Sequence, residues 1–395
     1  MDGTAGSGAL TLRRLRFLVT VLFVLDGFVF ASWVVRVPDI KAQVGASASS
    51  LGLALLGVSG GAVVTMIVTG RLCRRFGSEQ MSVAMGVLLS LTIMLPALTR
   101  SVLVLTASLF AFGVGFGGMN VAMNSVAVDL TARIARPIMP SFHAAYSFGG
   151  LLGAVAGGVL AEALSPAWHL TLVGTLGLVV TLRIGVALLR TAEPRHNASA
   201  VAPAPVRPRR GTRSLVLLFG VIAMCTAYGE GALADWAALH LRSDLHTSAG
   251  FAAAGYASFS VAMLAGRLSG TWTLDRLGRT RVLAAGGLTA AGGMLLAALA
   301  PVLGLAVIGF VLVGLGLANV FPAAIGEAGA LAGSQGVAVA STIGYTGFLA
   351  GPPIIGFLAD SFSLPIALTT IAGFAAAAAA IALVARHAEA RLPVP

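Results

Sequence analysis

The sequence predicts an all-α integral membrane protein, with twelve transmembrane helices in two pseudo-symmetric six-helix bundles around a central cavity. Three observations predict it. The 395 residues are 57% hydrophobic and only 10% charged, with a mean hydropathy of +0.95. A soluble domain is about 45–50% apolar and about a quarter charged. Apolar runs of bilayer length recur twelve times, and the second six repeat landmarks of the first six in order.

The runs are bounded by charge, Gly or Pro. In the first half they fall at roughly 15–37, 50–72, 80–99, 102–128, 141–163 and 167–190. They resume at roughly 214–241, 250–274, 281–300, 302–325, 336–359 and 365–386. Each is near the ~20 residues that carry a helix across ~30 Å of hydrocarbon. The first run continues past signal-peptide length without a convincing cleavage site, so it is expected to be a retained helix. Between the halves lies EPRHNASAVAPAPVRPRRGTR (193–213), whose Pro, Ala and Arg content suits a solvated linker. The N-A-S match at Asn197 sits in this basic stretch and is taken as chance. The expected organisation is an N-terminal bundle (1–192), a cytoplasmic linker (193–213) and a C-terminal bundle (214–395).

The net charge of +11 comes from 24 Arg and the single Lys41. Nucleic acid is the wrong partner to infer, because the arginines mark segment ends and form no single face. Arg13, Arg14, Arg16, Arg71, Arg74, Arg75, Arg133, Arg136, Arg276, Arg279, Arg281, Arg386 and Arg391 fall on one side with the linker. Only Arg36, Lys41, Arg100 and Arg242 fall on the other. The positive-inside rule then puts both termini in the cytoplasm. The Arg and Ala bias suits a GC-rich bacterial genome, hence a bacterial inner (plasma) membrane. Cys73 and Cys225 offer neither a disulfide framework nor metal-ligand spacing. No G-x-x-x-x-G-K-[ST], H-E-x-x-H or nucleophile elbow is present. No cofactor, no metal and no enzymatic activity are expected.

The halves align. GFGGMN (115–120) and GLGLAN (314–319) share G-x-G-x-x-N, setting Asn120 opposite Asn319. Gly149, Gly153, Gly158 and Glu162 match Gly347, Gly351, Gly356 and Asp360 at an offset of 198. Arg75 and Gly77 match Arg276 and Gly278 at an offset of 201. DGFVFASW (26–33) matches EGALADW (230–236) with one residue of slippage, making Asp26 and Glu230 counterparts. Parallel six-helix repeats are an architecture of secondary transporters, which rock between access states.

TWTLDRLGRTR (271–281) resembles the signature loop G-x-x-x-D-R-x-G-R-R of the major facilitator superfamily, keeping Asp275, Arg276, Gly278 and Arg279. GRLCRRFGS (70–78) keeps Gly70, Arg75 and Gly77, with Arg74 where the family has Asp and Ser78 where it has a base. FASWVVRVPDIK (30–41), NVAMNSVAV (120–128), PSFHAAYSFGGLLG (140–153) and EGALADWAALHLR (230–242) resemble the MosC-like/YbjJ-like branch, related to fucose-permease-type sugar transporters. The resemblance spans essentially the full length. It implies cytoplasmic gate loops at Gly70, Arg75, Gly77, Asp275, Arg276, Gly278 and Arg279, where ion pairs form in one state and break in another. Members often carry Asp at the position of Asn120. The helix-4 Arg of drug/proton antiporters is absent before Arg133, which lowers the multidrug reading.

Ionisable residues within spans are functional candidates by default, at about 2.5–3.5 kcal/mol each on insertion scales. Asp26 lies near the middle of helix 1, and Glu230 lies deeper than Asp235 in helix 7. The expected proton-coupling and substrate cavity is Asp26, Glu230, Asn120, Asn124, His143 and Asn319. The alternative is that the carboxylates cap polar networks and the asparagines only hydrogen-bond between helices. His143, near the start of helix 5, suits a structural histidine more readily than a relay. Trp33, Arg36, Asp235 and Trp236 are expected as an outer gate closed by an Arg36–Asp235 pair, against the alternative of an interfacial Trp–charge belt. Arg183 is expected to snorkel, and Pro322, Pro352 and Pro353 to kink helices 10 and 11.

The expected function is secondary active transport of a small polar solute (sugar-, polyol- or metabolite-like) by alternating access, coupled to protons. A proton-driven exporter of a drug-like or secondary metabolite, a non-transporting sensor of the same fold and a passive channel or scramblase stand as alternatives. The expected partners are a small-molecule substrate, protons and the lipid bilayer, with the chain a monomer.

Overall fold

A computed structural model of the chain describes residues 3–46, 48–191, 212–247 and 249–390. A few side chains inside helices, those of Asp235 and Arg242 among them, lie outside the description. The expected linker falls almost wholly outside the described residues.

Among the described residues the structure is all-α. The helices are α1 (Gly3–Val44), α2 (Ala48–Phe76), α3 (Ser78–Thr92), α4 (Val102–Ile134), α5 (Met139–Ala163) and α6 (Pro166–Thr191). They continue as α7 (Thr212–Ser243), α8 (Ala249–Leu277), α9 (Arg279–Ala298), α10 (Leu303–Leu317), α11 (Val320–Ser361) and α12 (Leu364–Ala390). Ten stretches are long and apolar enough to cross a membrane. Two of the twelve expected spans are not counted separately among the ten. Leu303–Ser361 forms one stretch of 59 residues, because helix 10 breaks at Ala318–Asn319 inside its span and α11 runs on through Gly333. α8 is not counted among the ten, residues 251–256 within it lying outside the described side chains.

Two compact units form. One comprises Met1–Ala135, Phe142–Arg207 and Gly333–Ala338; the other Arg136–Ser141, Pro208–Ala332 and Val339–Pro395. In the first unit α2 packs on α4, α3 on α4 and α6, and α1 on α4 and α6. The second repeats the scheme, with α8 on α10, α9 on α10 and α12, and α7 on α12.

In lipid there is little hydrophobic drive between helices, so close approach of small residues supplies the packing. A Cβ at Gly113 would lie 2.0 Å from the Val58 carbonyl oxygen, and one at Gly314 2.4 Å from that of Phe259. Gly115 meets the Leu89 backbone as Gly316 meets that of Ala290. All four correspondences share an offset of 201. For the other crossing, Gly149 meets the Val24 carbonyl as Gly347 meets that of Met224, and Gly153 meets Phe28 as Gly351 meets Tyr228. Here α5 and α11 keep the expected offset of 198, and α1 and α7 correspond at 200.

These contacts correct two sequence alignments. At 200, Asp26 corresponds to Thr226 and Glu230 to Phe30, so the two carboxylates lie one helical turn apart in the repeat. At 201, Asn319 corresponds to Gly118 and Asn120 to Phe321. Matching acid with acid and Asn with Asn follows chemical likeness, whereas the register is set by which residues must be small where helix backbones touch.

Candidate functional site

In the first unit, Asp26 is fully buried (0% exposed) on α1. Among the described residues, neither carboxylate oxygen has a hydrogen-bond partner. Three residues earlier, Phe23 stacks on Phe142 at 5.4 Å and meets the His143 ring edge-on at 5.6 Å. His143 Nε2 lies 3.2 Å from Asn124 Oδ1, and Asn124 Nδ2 donates to the Asn120 carbonyl at 2.8 Å. With its NH2 committed to Asn120, Asn124 presents its oxygen, so His143 donates through Nε2. Asn120, Asn124 and His143 thus form one chain joining α4 to α5, beside the α1 face that carries Asp26.

The second unit holds a charged counterpart that the sequence reading missed. Arg267 of α8 donates through Nη2 to both Glu230 oxygens, at 3.1 and 3.2 Å. Through Nε it donates to the Ala318 carbonyl at 3.3 Å. Asn319 returns the contact, its Nδ2 donating to the Gly266 carbonyl at 2.9 Å. The cause is local chemistry. In a helix the Ala318 carbonyl would accept from residue 322, but Pro322 has no N–H. The helix opens four residues before the proline, and the guanidinium takes the released carbonyl. The expected kink at Pro322 is therefore present, and Arg267 is its partner.

Arg267 had a sequence signal. It stands inside the run 250–274, as Arg183 does inside 167–190, whereas most other arginines lie near run ends. Its repeat equivalent is Met66, fully buried at 0%, and that of Glu230 is Phe30, stacked on Phe116 at 5.0 Å. At these repeat-equivalent positions one half thus carries apolar side chains and the other an ion pair.

Among the expected outer-gate residues, Trp33 is buried with its ring 6.3 Å from that of Phe112. Trp236 packs on the core of the second unit. Arg36, 1% exposed, is held inside the first unit. Its Nε donates to His169 Nδ1 at 2.8 Å and its Nη1 to Asp39 at 2.8 Å. Its Nη2 donates to the Leu160 and Leu164 carbonyls at 3.1 and 2.8 Å, around the end of α5. His169, accepting at Nδ1, carries its proton on Nε2. The Asp235 side chain, the expected partner of Arg36, lies outside the described residues.

Of the loop residues, Gly77 and Gly278 adopt φ of 108° and 75°, a region that favours glycine, and they turn α2 into α3 and α8 into α9. Asp275 accepts from Arg136 at 2.6 Å. Arg279 pairs with Glu327 and lies over the Phe219 ring, and Arg276 lies over Trp272. In the first copy Arg75 lies over Phe76 and the Gly70 carbonyl accepts from Ser334 Oγ. Arg74, at the position of Asp275, donates to the neutral side chain of Gln335. Among the described residues, the second copy carries the ion pairs and the first does not.

A family model described as Major Facilitator Superfamily matches residues 17–325 and 219–395. An uncharacterized MFS-type transporter of Yersinia pestis is 34% identical over 357 residues, 89% of this chain and 90% of its own. The membrane protein MosC of Rhizobium meliloti is 30% identical over 356 residues, 89% of this chain and 86% of its own. Among solved structures, the E. coli fucose:proton symporter FucP superposes with a TM-score of 0.71 at 18% identity, covering 93% of this chain and 97% of that one. At that identity the likeness speaks for the fold alone.

Proposed function

The chain belongs to the major facilitator superfamily, as a secondary transporter and not an enzyme, and from that premise we propose that it couples movement of a small polar solute to protons through Asp26. The observation that carries this reading is the buried carboxyl with no partner at either oxygen. An ionised carboxylate there would lack every hydrogen bond that could offset its desolvation, and the neutral acid costs far less. In the resting fold Asp26 holds its proton. It releases that proton when alternating access brings water to α1, and rebinding resets the cycle. The Asn120–Asn124–His143 chain supplies polar groups for solute hydroxyls beside it. FucP, similar in fold, is a fucose:proton symporter, which supports the coupling ion and leaves the cargo open. Glu230, whose two oxygens accept from Arg267, is taken as the partner of that cation, and the proton role expected of both acids is assigned to Asp26.

The same reading places a monomer in a bacterial inner membrane, both termini cytoplasmic, on the strength of the arginine distribution. The second loop copy, through Asp275 and Arg279, serves as the cytoplasmic gate.

The test is reconstitution into vesicles with a panel of sugars, polyols and small metabolites, reading solute-dependent proton movement with an internal pH dye. Asp26→Asn is expected to abolish proton movement while leaving the protein folded. Unchanged, pH-gradient-driven uptake by Asp26→Asn refutes the coupling role.

A further inference from the structure

The Glu230–Arg267 pair is a poor candidate for a purely structural contact. A buried ion pair is at best about as stabilising as well-packed apolar residues. At the equivalent positions the first unit carries Phe30, stacked on Phe116 of α4, and the fully buried Met66, so the repeat fills these positions without charge. Nor is the pair sealed alike on both sides. The Arg267 side chain is 7% exposed and that of Glu230 16%, while Asp26 is at 0%. The open side of the pair is the carboxylate side.

The guanidinium is also held independently of Glu230. Its Nε is fixed on the carbonyl released by Pro322, and Asn319 clamps the adjoining Gly266. If the carboxylate swings away, Arg267 stays in place with its Nη2 donors presented. A planar guanidinium matches a carboxylate in geometry and charge better than any other side chain does.

We propose that Arg267 is the binding site for a carboxylate group of the transported solute, and that Glu230 is the resident occupant which the solute displaces. This deepens the transport reading by naming the cargo class, a small organic acid. It rests on that reading only in treating the bound anion as cargo. Displacement exchanges one carboxylate for another at the same donors, so the buried cation is never left without a counter-charge.

The experiment deletes the resident and supplies a substitute. Purified Glu230→Ala in detergent is titrated with sodium formate or with neutral formamide at fixed sodium chloride, and thermal unfolding is followed. Formate is expected to raise the midpoint by several degrees and formamide to leave it unchanged. Wild type should need at least tenfold more formate for the same shift, because Glu230 competes. Glu230→Ala/Arg267→Met should not respond. Equal responses to formate and formamide, no response of Glu230→Ala, or a response retained without Arg267 each overturn the proposal. Should Glu230→Ala not purify folded, Glu230→Gln carries the same test, since the amide preserves volume but leaves the guanidinium charge uncompensated. A Glu230→Gln protein indifferent to formate overturns the proposal equally. Occupancy in detergent is read without transport, so its failure is distinguishable from failure of Asp26-dependent proton movement.

Discussion

Replacing Pro322 by alanine should make Arg267 partly redundant, and the size of that redundancy can be worked from the geometry. The substitution would bring a backbone N–H to the Ala318 carbonyl, which now accepts from Arg267 Nε at 3.3 Å. That distance is long for an N–H···O bond, so the interaction belongs at the low end for a charged donor, about 1.5 kcal/mol. Interhelical hydrogen bonds inside membranes average lower still, about 0.6 and at most about 1.7 kcal/mol. A double-mutant cycle between Pro322→Ala and the neutralised pair Glu230→Gln/Arg267→Met isolates the term, since loss of the ion pair is common to both arms and cancels. Arg267→Met beside the native proline leaves a buried carbonyl without a donor; in the Pro322→Ala background the new N–H supplies one. The neutralised pair should therefore be about 0.6–1.5 kcal/mol less damaging in the Pro322→Ala background. Pro322→Ala alone is expected to shift stability by up to about 3 kcal/mol. The assay is unfolding in mixed micelles by SDS titration, followed by circular dichroism. Additivity within about 0.3 kcal/mol would refute the claim that Arg267 occupies the proline-released carbonyl.

Four further outcomes follow from the packing and the ion pairs. Gly113→Ala would set a methyl group 2.0 Å from the Val58 carbonyl oxygen and should lower thermal stability by about 1–3 kcal/mol or more. Gly292→Ala, with nothing within 4 Å, should be neutral or gain about 0.5–1 kcal/mol from helix propensity. Arg36→Lys should destabilise strongly, by about 3 kcal/mol or more, because one ammonium cannot reach His169, Asp39 and the α5 carbonyls together; a near-native midpoint would show the network to be dispensable. Asp275→Arg should block transport while changing stability by about 1 kcal/mol or less, the Arg136 and Asp275 side chains being 62% and 32% exposed. Restored flux in Arg136→Asp/Asp275→Arg would identify the pair itself as the working element.

Much of the fold was legible because bilayer physics writes it in composition. Length and hydropathy mark the spans, and arginines crowd the ends of most of them. Gly77 and Gly278 announced their turns through the spacing of the loop motif. What escaped depended on contacts between distant segments. Arg267 hid because basic residues read as span boundaries, and an arginine at a span centre breaks that rule only if its partner is already known. Its partners are a carboxylate 37 residues upstream and a carbonyl 51 residues downstream. That carbonyl is available only because of a proline four residues beyond it. No local pattern contains all three.

The repeat register carries the last step. Aligned by chemistry, Asp26 and Glu230 look like one acid duplicated; aligned by the glycines at the helix crossings, each acid faces a residue that cannot ionise in the hydrocarbon. Asp26 has Thr226, whose hydroxyl is satisfied by the Ile222 carbonyl of its own helix. Glu230 has Phe30, and Arg267 has Met66. The scaffold is duplicated and the charges are not. The half that lacks the arginine keeps an acid with no partner, and the half that has it keeps an acid whose negative charge is committed. The ionisable residues therefore occupy non-equivalent positions of the two halves, a buried acid on α1 and an ion pair between α7 and α8. Met66→Arg should leave Asp26-dependent proton movement intact, because the acid position matched to that arginine is Phe30, one turn from Asp26; loss of proton movement in a folded Met66→Arg protein would refute the register.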